Sequence, residues 1–116
     1  MASEKRFEER VKRHIESHNG WQVKFFANQM TKKGIPDILS CINGYFVAIE
    51  VKAENGRPSE LQKHQIKKIN SVGGIGLILY PQDFEIFKKL VNYLNVDNYT
   101  AAQSCAAEIN ERGMKE

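Results

Sequence analysis

Cysteine and proline are scarce in this chain, with two cysteines and three prolines among 116 residues. Two cysteines, Cys41 and Cys105, are too few for a disulfide framework or a cysteine-rich metal site, and they suit a reducing compartment. No apolar run approaches the roughly 18–20 residues that a membrane-spanning helix needs, and residues 1–8 lack the apolar stretch of a secretory signal. These absences predict a protein of the cytoplasm.

The composition is that of one ordinary globular domain, 41% hydrophobic and 27% charged. The net charge is only +3, but the charges are unevenly distributed. Residues 1–80 hold thirteen Lys/Arg and eight Asp/Glu, whereas residues 81–116 hold four and six. A basic first part of the chain favours a polyanionic partner such as a phosphate backbone, although by itself this signal is weak.

The strongest local signal is Asn43-Gly44, which lies between two runs of β-branched and aromatic residues. Asn-Gly favours a type I′ turn, because both central residues of that turn need a positive φ. A two-residue loop puts Ile42 opposite Tyr45 and, at the far end of the hairpin, Asp37 opposite Glu50. Opposed residues of an antiparallel pair project from one face, with Cα atoms about 4.5–5.5 Å apart. The hairpin therefore predicts two carboxylates that meet at its open end.

The rest of the chain predicts an α/β fold in the element order α-β-β-β-α-β-α-α. Helices are predicted over residues 4–19, ended by Gly20, over 59–72, from an Asp83 cap, and from a capping box at Thr100–Gln103. Strands are predicted over 23–26, 37–42, 45–52 and 76–80, with a polar loop from Asn28 to Gly34. The unbroken apolar run of the last strand favours a central position in a mixed sheet flanked by helices. Residues 1–96 form the predicted domain, and residues 97–116 form a C-terminal helical tail.

The two opposed acids, Asp37 and Glu50, fit the ligands of a hard divalent cation. Mg²⁺ and Mn²⁺ prefer carboxylate oxygens, and the carbonyl of Val51 at the same strand end offers a further oxygen. Two directly opposed like charges are destabilising without a cation. Lys52 shares the face of Glu50 and suits a group that holds or deprotonates the attacking water and offsets charge in a phosphoryl transition state. A purely structural cross-strand ion pair is the alternative, and it fits an otherwise apolar strand less well.

Two further side chains are candidates for the same site. Gln62 follows the helix cap Ser59 by three residues and completes a capping box, yet it can also reach back over the open end of the hairpin. Glu8 falls beside the apolar stripe of the first helix, where an acid needs a partner, whereas Glu9 points away. The alternative for Glu8 is an i,i+4 ion pair with Lys12, and physics alone does not separate the two interpretations.

Three segments of the chain resemble the PD-(D/E)XK nuclease superfamily: Gly34-Ile35-Pro36-Asp37, Glu50-Val51-Lys52 and Gly56-Arg57-Pro58-Ser59-Glu60-Leu61-Gln62. Within it the chain is most similar to the VRR-NUC (virus-type replication–repair nuclease) family, over roughly residues 4 to 94. The resemblance implies a PD-(D/E)XK nuclease-like fold, with Asp37 and Glu50 as metal ligands and Lys52 as the catalytic lysine. It also implies that Gln62 is the family's glutamine and that Glu8 is its first-helix acid, which binds the metal directly or through water.

Small stand-alone members of this group look like Holliday junction resolvases, which are homodimers that present two active sites to a four-way DNA junction. The resemblance implies an endonuclease of a bacterial or phage-infected cell that uses Mg²⁺ or Mn²⁺ on branched DNA and leaves 5′-phosphate and 3′-hydroxyl ends. A two-fold dimer suits this substrate, because a lone 13.3 kDa domain has little surface with which to recognise a branched shape.

Two other interpretations keep the same fold. One is a flap, nicking or restriction-type DNA endonuclease with the same site, and the other is a non-catalytic DNA-binding module. The presence of Asp37, Glu50, Lys52 and Gln62 argues against the module, whereas the sequence does not separate the nuclease substrates. Predicted contacts to the DNA backbone are Lys5, Arg6, Arg10, Lys12, Arg13, Lys32, Lys33, Arg57, Lys63 and Lys67.

Overall fold

The computed structural model describes residues 2–26, 28 and 32–116. Its helices are α1 (Ala2–Glu16), α2 (Glu60–Ser71), α3 (Phe84–Asn95) and α4 (Tyr99–Lys115), and its strands are β1 (Gly20–Lys24), β2 (Ile38–Ile42), β3 (Tyr45–Val51) and β4 (Ile75–Leu79). This order confirms the predicted α-β-β-β-α-β-α-α succession. The predicted loop from Asn28 to Gly34 lies partly outside the described residues. Among the residues described, no helix has both the length and the apolar character needed to cross a membrane.

The four strands form one mixed sheet in the order β1-β2-β3-β4. The first three strands are antiparallel neighbours, and β4 runs parallel to β3 because α2 carries the chain back along the sheet. The mixed sheet is as predicted, but the central position expected for β4 is wrong, since β4 is an edge strand. Its continuous apolar run has a different cause: Leu77 and Leu79 join the main core on one face, while Ile78 packs with Ile66 of α2 on the other.

Two asparagine side chains close the free edge of β4. Asn70 of α2 accepts a hydrogen bond from the N–H of Gly76 at 2.9 Å and donates to the carbonyl of Gly76 at 3.1 Å. Asn110 of α4 accepts from the N–H of Ile78 at 2.9 Å and donates to the same Gly76 carbonyl at 2.9 Å. Occupied main-chain groups cannot pair with a further strand. This edge of the sheet is therefore sealed within the chain itself.

Residues 97–116 pack onto their own domain. Ala102, Cys105 and Ile109 of α4 lie in the main hydrophobic core, and Met114 packs against the smaller cluster around Tyr80. The predicted C-terminal helical tail therefore docks on its own domain.

Three helix boundaries differ from the predictions. The residue that adopts the left-handed conformation after α1 is Asn19, with φ 64°, and Gly20 instead begins β1, which therefore starts before the predicted residue 23. Asn98 caps α4 by accepting from the N–H of Ala101 at 3.1 Å, so the expected box at Thr100 does not form. Asp83 precedes α3 without a capping bond, because Arg112 binds both of its carboxylate oxygens at 2.9 and 3.2 Å.

The hairpin turn is fixed by contacts with the end of α3. Asn43 and Gly44 both have positive φ, 49° and 88°, as a type I′ turn requires. The Asn43 side chain donates to the carbonyl of Leu94 at 2.9 Å, and the Tyr45 hydroxyl donates to Asp97 at 3.0 Å. These bonds hold the register at the closed end of the hairpin, and the register decides which residues meet at the open end.

Candidate active site

The open end of the β2–β3 hairpin brings Asp37 and Glu50 together. The strands pair Ile38 with Ile49, which confirms the predicted register and makes Asp37 and Glu50 the next opposed residues. The N–H of Val51 donates to Asp37 Oδ2 at 3.0 Å and ties this carboxylate to β3. The two acids are close enough for the charge of Asp37 to add to burial in raising the pKa of Glu50.

Glu50 is a buried carboxylate with an unusual set of neighbours. Only 3% of the residue is exposed, and its Oε2 lies 3.3 Å from Lys52 Nζ and 2.9 Å from Gln62 Nε2. Its Oε1 is buried and has no hydrogen-bond partner in the described part of the chain. Burial, followed by the charge of Asp37, raises the pKa of Glu50 to about 8 in spite of the opposing charge of Lys52. A buried acid oxygen without a donor is what a cation would satisfy.

Gln62 connects α2 to this carboxylate. Ser59 Oγ accepts from the N–H of Gln62 at 3.1 Å, and Gln62 Oε1 accepts from the N–H of Ser59 at 2.9 Å, which completes the predicted capping box. The amide nitrogen of the same side chain donates to Glu50. One side chain therefore caps a helix and orients Glu50, so the two interpretations of Gln62 are compatible.

Lys24, which is not among the residues predicted for the site, links Glu8 to Asp37. Lys24 Nζ lies 2.8 Å from Glu8 Oε1 and 3.6 Å from Asp37 Oδ1. Burial opposes the charged form of Lys24, but its hydrogen bond to Glu8 and the charge of Asp37 prevail and raise its pKa. The signal for this contact is the pairing of Lys24 with Ile38, the neighbour of Asp37. That register is not readable from the sequence, because no tight turn joins β1 to β2.

Glu8 lies at the inner side of α1, whereas Glu9 does not. Glu8 is 8% exposed, while the Glu9 side chain keeps 45% of its surface exposed. Both oxygens of Glu8 have cationic neighbours, since Oε2 also lies 3.5 Å from Lys12. The i,i+4 pair with Lys12 considered from the sequence is thus present, together with a contact toward Asp37 through Lys24.

The residues at this strand end fit a divalent cation that keeps part of its hydration. Asp37 and Glu50 supply two carboxylates, and one oxygen of Glu50 lacks any other partner among the described residues. In that same part of the chain no three His, Cys, Asp or Glu side chains form a group able to hold a metal ion. Mg²⁺ commonly binds through one or two carboxylates plus waters and substrate phosphates, so two are sufficient. Glu8 and the Val51 carbonyl stay predicted ligands.

One family model matches this chain. The model of the archaeal Holliday junction resolvase (Hjc) matches residues 4–73, the part of the chain that contains every candidate site residue named above from the sequence. The chain belongs to the archaeal Holliday junction resolvase family. No curated protein and no solved structure matches it.

Membership in the resolvase family confirms the broader resemblance drawn from the sequence. This is a nuclease family of the PD-(D/E)XK type, and the helix-flanked mixed sheet agrees with it. The narrower similarity to the VRR-NUC family is not what the family model matches, and it stays a prediction. The matched residues include α1 from residue 4 onward, the first three strands and α2, and leave β4, α3 and α4 outside.

The basic residues predicted to contact DNA differ in their exposure and in their contacts with other side chains. Lys12 bonds to Glu9 at 2.9 Å, and Lys63 is 9% exposed. Two arginines are exposed but engaged, since Arg10 lies 4.6 Å from the Phe84 ring centroid and Arg57 lies 3.6 Å from Glu116. The predicted residues with exposed positions are Lys5, Arg6, Arg10, Arg13, Lys32, Lys33, Arg57 and Lys67.

The segment that carries Lys32 and Lys33 packs against the start of α2. Gly34 has φ 80°, and a Cβ there would lie 2.5 Å from the carbonyl oxygen of Leu61, so only glycine allows this approach. Gln65 donates to the carbonyl of Lys33 at 3.1 Å. Both lysines are therefore held near the helix turn from which Gln62 reaches Glu50.

Proposed function

We propose that this resolvase-family chain is an Mg²⁺- or Mn²⁺-dependent endonuclease that hydrolyses phosphodiester bonds in branched DNA, as a homodimeric Holliday junction resolvase. The observation that carries the proposal is the cluster at the open end of the hairpin. There a buried Glu50 keeps one oxygen without a partner among the described residues, opposite Asp37 and 3.3 Å from Lys52. Family membership supports the four-way junction as the substrate.

The roles of the side chains follow from their positions. Asp37 and Glu50 would hold the cation, which when bound polarises the scissile phosphate and lowers the pKa of a water. Lys52 holds the attacking water and offsets the negative charge that develops on the phosphoryl oxygens. The water attacks phosphorus and loses its proton to solvent water, the P–O3′ bond breaks, and the leaving 3′ oxygen takes up a proton from solvent. The products are a 5′-phosphate and a 3′-hydroxyl, and Gln62 keeps Glu50 in position throughout.

A substrate panel tests this proposal. Labelled four-way junction, flap, nicked duplex, linear duplex and single-stranded DNA are incubated with the protein in millimolar Mn²⁺ and, in parallel, in EDTA. We expect cutting of the junction in Mn²⁺ alone. Cutting of flaps or linear duplex at the same rate would contradict the assignment as a resolvase but would still support phosphodiester hydrolysis at this site. Cutting that persists in EDTA would remove the metal-dependent site.

We propose that a second copy of the chain binds an exposed apolar face of the sheet, which is formed by residues of β1, β2 and β3. Trp21, Cys41 and Phe46 lie opposite one another on β1, β2 and β3, so they share one face. Trp21 is 62% and Phe46 is 47% exposed, and Val23 beside them is 39% exposed. Exposed apolar side chains grouped in this way indicate an interaction surface. A junction needs two cuts, and two copies joined by a two-fold axis would supply two sites.

Trp21→Glu is expected to convert a dimer into a monomer, measured by light scattering of the eluting protein at micromolar concentration. A charge in the centre of a buried apolar interface is costly, whereas Trp21 is exposed within one chain, so the folded monomer should keep its secondary structure. Val96→Glu is the matched control, because Val96 is 70% exposed and directly follows α3, outside the strands that form this face. A wild-type protein that elutes as a monomer would contradict this interface.

Joint replacement of Lys32 and Lys33 by alanine is expected to weaken junction binding about tenfold or more at roughly 100 mM salt. The number of phosphate contacts calculated from the salt dependence of the affinity should fall by about two. Both lysines are exposed and lie beside the start of α2. Binding is measured by titration of labelled junction at several salt concentrations. Lys88 and Lys89 on α3, changed together to alanine, are the control pair. Unchanged affinity and salt dependence would exclude the segment from the DNA contact surface.

A further inference from the structure

The chemistry proposed above gives no role to Lys24, although Lys24 lies between two acids of the candidate site. Its ammonium is 2.8 Å from Glu8 Oε1 and 3.6 Å from Asp37 Oδ1. The three side chains are largely shielded, with 26%, 11% and 25% of their surfaces exposed for Lys24, Glu8 and Asp37. Charges at such distances in a shielded site interact more strongly than surface ion pairs do.

The oxygen of Asp37 that faces Lys24 is the one that a cation would need. Asp37 Oδ2 is already engaged by the N–H of Val51, which leaves Oδ1 as the more available ligand atom. A divalent cation on Oδ1 would lie within a few ångström of the Lys24 ammonium, and two positive charges at that separation repel one another. Cation and ammonium therefore compete for the same oxygen.

The two contacts of Lys24 differ in strength, so a cation would displace Lys24 from Asp37 and not from Glu8. The 2.8 Å contact with Glu8 is a hydrogen bond, whereas the 3.6 Å contact with Asp37 is an ion pair without one. When Asp37 turns to a cation, Lys24 loses only the longer contact and stays on Glu8. The lysine is thus held close to the site in both states.

We propose that Lys24 is a positioning residue that supplies counter-charge to Asp37 in the metal-free site and, by competing for Asp37 Oδ1, lowers the affinity of the site for a divalent cation. This inference rests on the proposed metal dependence and deepens it. Lys24 lowers the affinity of the site for the metal, but it keeps Glu8 and Asp37 paired with a positive charge before the metal binds. The merely structural alternative is a salt bridge that joins α1, β1 and β2 and has no effect on the metal.

Calorimetric titration of DNA-free protein with Mn²⁺ separates these two roles. Lys24→Met removes the charge and keeps the length of the side chain, and we expect Mn²⁺ to bind about tenfold more tightly. Lys24→Gln is a second neutral variant with the same expected direction, whereas Lys24→Arg should stay close to the wild type. Lys88→Met is the matched control. Lys88 pairs with Glu85 on α3 and contacts none of the site residues, so its removal should change the affinity less than about twofold.

Thermal melting gives a readout that is independent of the titration. Without metal, Lys24→Met should melt at a lower temperature than the wild type, because Glu8 and Asp37 lose their shared partner. Added Mn²⁺ should then raise its melting temperature by more than it raises that of the wild type. Equal or weaker Mn²⁺ binding by both neutral variants, or an equal gain in Lys88→Met, would overturn the role of Lys24 alone. Absence of Mn²⁺ binding in the wild type and in the variants would overturn the proposed metal dependence with it.

Discussion

Glu50→Gln is expected to reduce junction cleavage by about a thousandfold or more, while the folded protein becomes more stable at alkaline pH. The amide keeps the shape of the side chain, and its oxygen can still accept from Gln62, so the fold around it should persist. It cannot supply the negative charge that a cation at this position requires. Activity therefore falls because a ligand is lost and not because the hairpin is disturbed.

The raised pKa of Glu50 determines how the stability of the metal-free protein changes with pH. The folded protein holds a proton on Glu50 between the ordinary pKa of 4.5 and the folded value of about 8. Stability without metal is therefore complete below pH 4.5 and declines as the pH rises to about 8, by on the order of a few kcal/mol. The amide in the Glu50→Gln variant has no proton to lose, so this variant should lack the decline.

Urea unfolding in EDTA at about pH 5, 7 and 9 measures this difference, and junction cleavage in Mn²⁺ measures the loss of activity. Glu54→Gln is the control, because Glu54 is an exposed acid in the loop after β3. It should keep both the cleavage rate and the pH-dependent decline. A Glu50→Gln protein that still cuts the junction, or that loses stability across this pH range as the wild type does, would contradict the assignment of Glu50.

Lys52→Ala is expected to lower the cleavage rate by about a hundredfold to ten-thousandfold, while the protein still binds Mn²⁺ and the junction. The Lys52 side chain is 14% exposed and lies 3.3 Å from Glu50 Oε2, so its charge is directed into the site. Its removal leaves both carboxylates in place and removes the group that holds the water and offsets charge on the phosphate.

Single-turnover cleavage and Mn²⁺ calorimetry on the same preparation separate the two effects of Lys52→Ala. Lys52→Arg should recover little activity, because a planar guanidinium does not present its donors as an ammonium does. Lys88→Ala is the control for loss of one positive charge, since Lys88 pairs with Glu85 on the outer side of α3. Loss of Mn²⁺ binding together with activity would show that Lys52 maintains the site and does not act in the reaction.

The features that could be predicted from the sequence are those that depend on local signals. The Asn43-Gly44 turn sets the register of its own two strands, and the register brings Asp37 to Glu50. The capping box of α2 is equally local, since Ser59 and Gln62 are three residues apart. The positions of Asp37, Glu50 and Gln62 relative to one another follow from these two signals.

The features that could not be predicted depend on contacts between distant parts of the chain. The edge position of β4 depends on Asn110, a residue of α4 that binds Gly76 and Ile78 from far along the sequence. Asp83 fails to cap α3 because its partner is Arg112. The contact of Lys24 with Asp37 depends on the pairing of β1 with β2, which no turn sequence predicts. In each case a polar side chain binds a partner that is distant in the sequence, and only the packed fold brings the two together.

The most direct test of the central claim is strand-resolved cleavage of a four-way junction labelled on each strand in turn, in Mn²⁺, by the wild-type protein and by Lys52→Ala. We expect paired cuts by the wild type at symmetry-related positions on two opposed strands, with 5′-phosphate and 3′-hydroxyl ends, and the same cuts by the variant at a rate at least about a hundredfold lower. A junction that both proteins bind and neither cuts would contradict the nuclease assignment and indicate a DNA-binding module.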